Sequence, residues 1–92
     1  MNNIQAFENY LRHEKKYSAH TITAYMHDIN EFDTFIKEEF EEPEIKNINY
    51  SLVRSWIVLL VENGLNNVSV NRKIASLKAF FKFLQKIKQI EA

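Results

Sequence analysis

Ninety-two residues, 46% hydrophobic and 26% charged, with one glycine and one proline, describe a single folded domain with one core and exclude a linker, a collagenous chain or an acidic disordered tail. The absence of cysteine removes disulfide frameworks and cysteine-based metal or nucleophile sites, and it points to a reducing compartment, read here as the cytoplasm. The formal net charge is zero, yet residues 28–45 carry eight acids against one lysine and residues 46–92 carry eight bases against two acids, so neutrality is a cancellation between oppositely charged parts that can orient in the field of a polyanion.

No apolar run reaches the roughly 18–20 residues needed to span a bilayer, and the N-terminal MNNIQAFENYLRHEKK lacks the basic-then-apolar layout of a signal peptide. A soluble domain without a membrane partner is expected. Few glycines and prolines leave few places to turn, and apolar spacing near 3.6 dominates, which predicts an all-α domain of four helices.

The first helix is expected from about Asn3 to Lys15, with Ile4, Phe7 and Leu11 on one face and Lys15-Lys16 at its C-terminus, where cations suit the helix dipole. Ser18 is a good N-cap for a second helix, in which Ile22, Tyr25, Ile29, Phe32 and Ile36 recur at alternating spacings of three and four. This helix extends to about Glu39 and is stopped by Glu41-Glu42-Pro43-Glu44, where proline and like charges both oppose continuation.

Asn49 or Ser51 can cap a third helix, Tyr50 to about Glu62, with Val53, Trp56, Ile57 and Leu60 inward and Gly64 placed as a left-handed C-cap before Leu65. Leu52, Val58, Leu59 and Val61 make this helix apolar nearly all round, so it is either central or has a partner on its outer face. After a turn at Asn66-Asn67, Ser69 is expected to cap a fourth helix from Val70 to about Lys88, with Val70, Ile74, Leu77, Phe81 and Leu84 in register. Phe80, Phe83, Ile87 and Ile90 form a second apolar stripe, which either rests on the first helix or is covered by another domain or protomer.

In helical projection the face of the fourth helix opposite the core reads Arg72, Ala75, Ser76, Ala79, Lys82 and Lys86, with Asn71 and Lys78 at its edge. Small residues in its middle let a backbone approach something bulky while flanking Arg and Lys side chains reach around it. A DNA major groove fits: Arg72 and Asn71 can meet base edges and lysines can meet phosphates. A solvated lysine face with incidental alanines fits the same pattern.

The second helix shows a related face of His20, Thr23, Ala24, His27 and Glu31, and Ser18-Ala19-His20-Thr21 occupies its N-terminus, where backbone amides can receive a phosphate oxygen, with Lys15 and Lys16 just upstream. The plainer alternative makes Ser18 a cap and the histidines surface residues. His13, His20 and His27 are seven apart, which is not a metal-ligand spacing, and no carboxylate completes a set, so no metal and no cofactor is expected. The acids of residues 38–44 read as a solvated knob facing away from DNA, and nothing in the sequence pairs a nucleophile with a base.

In order and spacing these stretches resemble a known family. They read F-x-x-Y-L-x-x-E-K-x-Y-S-x-H-T-x-x-A-Y-x-x-D-I-x-x-F from Phe7 to Phe32, I-x-x-x-x-V-R-x-W-I from Ile48 to Ile57, and S-V-N-R-K-I-A-S-L-K-A-F-F-K-F-L from Ser69 to Leu84. The chain is similar over nearly its whole length to the N-terminal SAM-like, core-binding domain of tyrosine recombinases, the Xer branch and related phage or transposon integrases.

The resemblance implies a four- to five-helix SAM-like orthogonal bundle that forms half of a clamp around double-stranded DNA, with its second and fourth helices in or near the major groove. By matching motif, His20 and Thr21 contact phosphate, Thr23 and Ala24 face the groove, and Arg72 reads a base with Asn71, Lys73 and Ser76 beside it. Lys16, Ser18, His27 and Lys82 complete the expected DNA-facing set. Ala24 is smaller than its counterpart in relatives.

The family's catalytic tyrosine and its arginine, lysine and histidine partners belong to a C-terminal domain roughly twice this length, so this chain is expected to be one non-catalytic domain, residues 1–92, of a longer recombinase. Its implied partners are duplex DNA and other protomers of a synaptic complex, with no small-molecule substrate. The rival expectation is a helical protein-interaction module that uses the apolar third helix and the Phe83–Ile90 stripe.

Overall fold

The computed structural model describes residues 3–41 and 50–87. They form four helices, α1 (Asn3–His13), α2 (Ala19–Phe40), α3 (Tyr50–Glu62) and α4 (Asn67–Lys86), with no strand among the described residues. The all-α expectation holds.

Helix α1 stops at His13, two residues before the expected Lys15. The amides of Glu14 and Lys15 both return to the Tyr10 carbonyl, at 3.0 and 3.1 Å, and Lys16 turns left-handed at φ 55°. Two donors on one acceptor end the ladder, and the Tyr17 amide closes the turn on the Leu11 carbonyl at 3.1 Å.

Ser18 caps α2 as expected: its backbone is extended and its Oγ accepts the Thr21 amide. At the other end Glu41 adopts φ 55° and its N–H returns to the Ile36 carbonyl. That left-handed residue ends the helix; Glu42, Pro43 and Glu44, expected to stop it, lie outside the described residues.

Helix α3 begins at Tyr50, so Ser51 lies inside it and is not its cap, while Asn49 falls outside the described residues. Its C-terminus is a Schellman turn, with the Gly64 amide on the Val61 carbonyl (3.0 Å) and the Leu65 amide on the Leu60 carbonyl (3.2 Å). Gly64 has φ +89° and a Cβ there would meet nothing within 4 Å. Backbone conformation, not space, therefore selects glycine.

Helix α4 starts a turn earlier than expected. Asn66 is its cap, and the amide that its Oδ1 receives, at 2.9 Å, is that of Ser69, the residue expected to do the capping. The inward face is also rotated. Val70, Leu77 and Leu84 are buried as expected, but Lys73, Ser76, Phe80 and Phe83 are buried beside them, and Ile74 and Phe81 only flank the core.

The second apolar stripe accounts for the rotation. Phe7 of α1 meets Phe80 edge-on at 5.2 Å and Phe83 at 5.5 Å, and Tyr10 lies 4.9 Å from Phe83. Of the two expectations for this stripe, the first applies to Phe80 and Phe83, which rest on α1. Ile87 stays exposed, and Ile90 lies outside the described residues.

The remaining core follows the sequence pattern. Phe7, Leu11, Ile22, Ile29, Phe32, Ile36, Trp56 and Leu60 are buried, and Phe32 meets Trp56 at 5.0 Å, which ties α2 to α3. The outer side of α3 remains open: Val58, Leu59 and Val61 are exposed, as are Phe40 and Val68.

Candidate nucleic-acid interface

Helices α2 and α4 lie side by side, and their shared outer surface forms an open groove of ≈ 390 Å³. One wall is the N-terminal half of α2, with His20, Thr21, Ala24 and Tyr25, and the other is the first half of α4, with Arg72, Ala75 and Ser76. Two alanines, one on each wall, keep the groove wide. Asp28 forms part of its floor.

Asp28 has no solvent-exposed surface, and its carboxylate is fully used. Oδ1 accepts from Arg72 Nη2 at 2.9 Å and from Lys73 Nζ at 3.0 Å, and Oδ2 accepts from Ser76 Oγ at 2.8 Å. Lys73 Nζ also reaches the Glu31 carboxylate at 3.2 Å. Burial alone would raise the Asp28 pKa, but the hydrogen bonds from Ser76, Lys73 and Arg72, together with the Lys73 charge, outweigh it and hold the carboxyl below its ordinary value. The cluster is an ionised, satisfied network, with two cations matched by two anions.

This network engages two of the expected contact residues from inside the bundle. Lys73 is 5% exposed and turns its ammonium inward to Asp28 and Glu31, and Ser76, 4% exposed on the groove wall, gives its hydroxyl proton to Asp28. Apolar periodicity assigns polar residues to the outside, and here a cross-helix charge pair reverses that assignment. The network also weakens the charge separation seen along the sequence, because two acids of residues 28–45 neutralise two bases of α4.

Asp28 is the site residue that the outward-face pattern of the sequence does not reveal. A signal was present: Asp28 is three residues after Tyr25 and four before Phe32, the register of a core position, and Lys73 stands in the same relation to Val70 and Leu77. Opposite charges in core register on two helices indicate an internal pair.

The other expected residues divide into two groups. His20, Thr21 and Arg72 come together in the groove, and Arg72 keeps half of its side chain in solvent while one nitrogen holds Asp28. Lys16, Thr23, His27 and Asn71 are exposed but do not line it. His27 Nε2 lies 3.6 Å from Glu31 on its own helix. Ser18 is occupied locally, its Oγ 3.0 Å from the Thr21 hydroxyl and 3.3 Å from the Thr21 amide.

Lys82 lines a second cleft, also ≈ 390 Å³, between α1, α2 and α4, together with Lys15, Lys86 and the rings of Tyr10, Tyr17 and Tyr25. Lys86 Nζ sits 4.8 Å from the Tyr10 ring centroid, within cation–π range. Tyr25 faces both clefts and stacks on Tyr17 at 5.9 Å; burial, then the Tyr17 phenol beside it, pushes its pKa up. Three lysines thus continue the basic surface past Arg72. Among the described residues no group of three His, Asp or Glu side chains is placed to hold a metal ion, and no helix is long and apolar enough to cross a membrane.

A four-helix bundle with these motifs in this order defines a class. The chain belongs to the phage integrase N-terminal SAM-like domain family, whose model matches residues 4–88. Among its relatives it is 34% identical over 94 residues to the tyrosine recombinase XerC of Syntrophus aciditrophicus, covering 96% of this chain and 30% of that protein. It is 35% identical over 94 residues to the XerC of Bacillus subtilis, covering 98% of this chain and 29% of that protein. The chain therefore spans about a third or less of the length of the curated relatives it matches. No solved structure matches it at a significant level.

Proposed function

We propose that this chain is the DNA-binding domain of a site-specific tyrosine recombinase or integrase of the Xer type, that it holds duplex DNA across α2 and α4, and that it performs no chemistry itself. The observation that carries this is the α2–α4 groove, with alanines on both walls, the half-free Arg72 guanidinium at one side and the first turn of α2 at the other. Arg72 is set to meet a base edge or phosphate, His20 and Thr21 to meet the backbone of the duplex, and Lys82, with Lys15 and Lys86, to follow the phosphates beyond the groove. Strand exchange then belongs to a domain outside these residues, in a cytoplasmic protein that acts with other protomers.

A fluorescence-anisotropy titration with a 30-base-pair duplex at two salt concentrations tests this. Binding is expected to weaken steeply with salt, because each phosphate neutralised contributes about 0.9 to the slope of log K against log salt. Arg72→Glu with Lys82→Glu is expected to lower that slope by about 1 for the Lys82 phosphate contact, and by about 2 if Arg72 also meets phosphate, and to remove measurable binding at moderate salt. No binding by the parent chain at low salt and tens of micromolar protein would overturn the proposal for this domain.

A further inference from the structure

We infer that Asp28 is a positioning residue for DNA recognition: by holding one nitrogen of Arg72 from inside the bundle and cancelling the charge beneath it, it makes the groove discriminate among sequences instead of gripping any duplex. This rests on the DNA-binding reading above.

An arginine distinguishes bases only when its planar fork is presented in one orientation, because a bidentate contact demands that both donors meet two acceptors at once. Free in solvent, the side chain has many rotamers and acts as a mobile positive charge. Arg72 is not free. Its Nη2 is 2.9 Å from Asp28 Oδ1, and Asp28 is itself immobilised, fully buried and fixed by Ser76 and Lys73 at 2.8 and 3.0 Å. The anchor takes one donor group of the guanidinium, and half of the side chain stays in solvent on the groove wall, which leaves other donors for a ligand.

The second half of the inference concerns charge. Arg72 on the groove wall and the buried Lys73 behind it are adjacent and would make this part of the surface cationic, but Asp28 and Glu31 balance them. A neutral centre gives little affinity for phosphate in general, so binding there depends on the match between the fork and a base. Lys15, Lys82 and Lys86, the last with Glu14 3.9 Å from its ammonium on the open surface, sit in the neighbouring cleft, where they supply sequence-independent grip. Grip and discrimination are thereby assigned to separate surfaces of α4.

The test uses the 92-residue chain and duplexes with a randomised core, with sequencing of the bound fraction. The parent is expected to enrich its preferred base at one or more positions by about tenfold, the range of a good bidentate contact. The decisive variant is Asp28→Asn with Lys73→Met, which removes both charges of the internal pair, leaves the net charge unchanged and spares a lone buried ion. Enrichment at those positions is expected to fall below about threefold, with the salt slope near the parent's because no phosphate contact is lost. In an Arg72→Gln background the same exchange is expected to add nothing, because Asp28 acts through Arg72. A merely structural Asp28 would instead lower binding to every sequence alike and leave the enrichment intact, and that result would overturn the inference.

A parent that binds duplex without preference would overturn the inference and leave the DNA-binding reading standing, whereas a parent that binds no duplex removes both. Should the double variant fail to fold, nitrogen-15 spectra of the parent's guanidinium groups decide: hindered rotation at Arg72 supports the anchor, and free rotation overturns it.

Discussion

Where α4 meets α1 the contact is built from rings, and where it meets α2 the contact has an ionic centre. The first junction joins Phe7 and Tyr10 to Phe80 and Phe83 at centroid distances of 4.9–5.5 Å. The second places a fully buried carboxylate against Arg72, Lys73 and Ser76. Ring contacts are non-directional in their larger part and contribute chiefly the removal of apolar surface from water. The ionic centre contributes little net stability, because desolvation offsets much of its attraction, but its hydrogen bonds are directional and join fixed positions of α2 and α4. Stability and orientation of the same helix thus come from its two different sides.

The aromatic side should show the largest loss. Phe7 is fully buried and touches Tyr25, Phe80 and Phe83, so Phe7→Ala is expected to cost about 3–5 kcal/mol. A domain of this size has roughly 5–14 kcal/mol in total. A urea titration followed by circular dichroism should therefore find the midpoint lowered by about 2 M or more. A drop of under about 1 kcal/mol would mean that the ring cluster does not anchor α1 to α4.

The ionic side should respond to how it is broken. Asp28→Ala leaves Lys73 buried with Glu31 as its remaining partner and is expected to cost about 3 kcal/mol, whereas Asp28→Asn with Lys73→Met should lie within about 1.5 kcal/mol of the parent. Acid should act on the same group. Because the folded-state pKa of Asp28 lies below its ordinary value of 3.8, its stabilising contribution is fully present above pH 3.8 and is lost as pH falls below that value through the folded-state pKa. Urea midpoints measured from pH 6 down to pH 2 should fall more steeply below pH 4 for the parent than for the double variant. Equal slopes would remove Asp28 from the acid response.

The sequence was most informative where a local signal has one solution. The extents of α2 and α3, the Ser18 cap and the left-handed Gly64 all follow from short-range chemistry. It misled where two local solutions compete or where the partner is distant. Asn66 and Ser69 stand three apart and each can cap a helix, so sequence alone does not choose between them. Asp28 is 44 to 48 residues from its partners, and a hydropathy pattern assigns every charged residue outward regardless of what faces it across the bundle. Of the two outward faces expected from the sequence, His20, Ala24, Arg72, Ala75 and Ser76 border the groove, whereas Asp28 on its floor belonged to neither.

The weakest expected effect concerns α3, whose outer residues Val58, Leu59 and Val61 are exposed. Leu59 borders a shallow cleft of ≈ 230 Å³ that also includes Glu31, Glu38 and Glu39 of α2. A glutamate placed at 59 therefore meets like charges and a lysine meets opposite ones, both near the surface, where such interactions amount to about 1 kcal/mol or less. Leu59→Lys should be more stable than Leu59→Glu by less than about 1 kcal/mol at low salt, and the difference should vanish near 1 M salt, where the Debye length is about 3 Å. Neither substitution should change DNA binding by more than a small, salt-sensitive factor, because among the described residues the α2–α4 groove and the lysine cleft are lined by α1, α2, α4 and the α1–α2 turn. If Leu59→Glu abolished binding while the fold persisted, the working surface would be α3, and the two sides of α4 would serve the bundle alone.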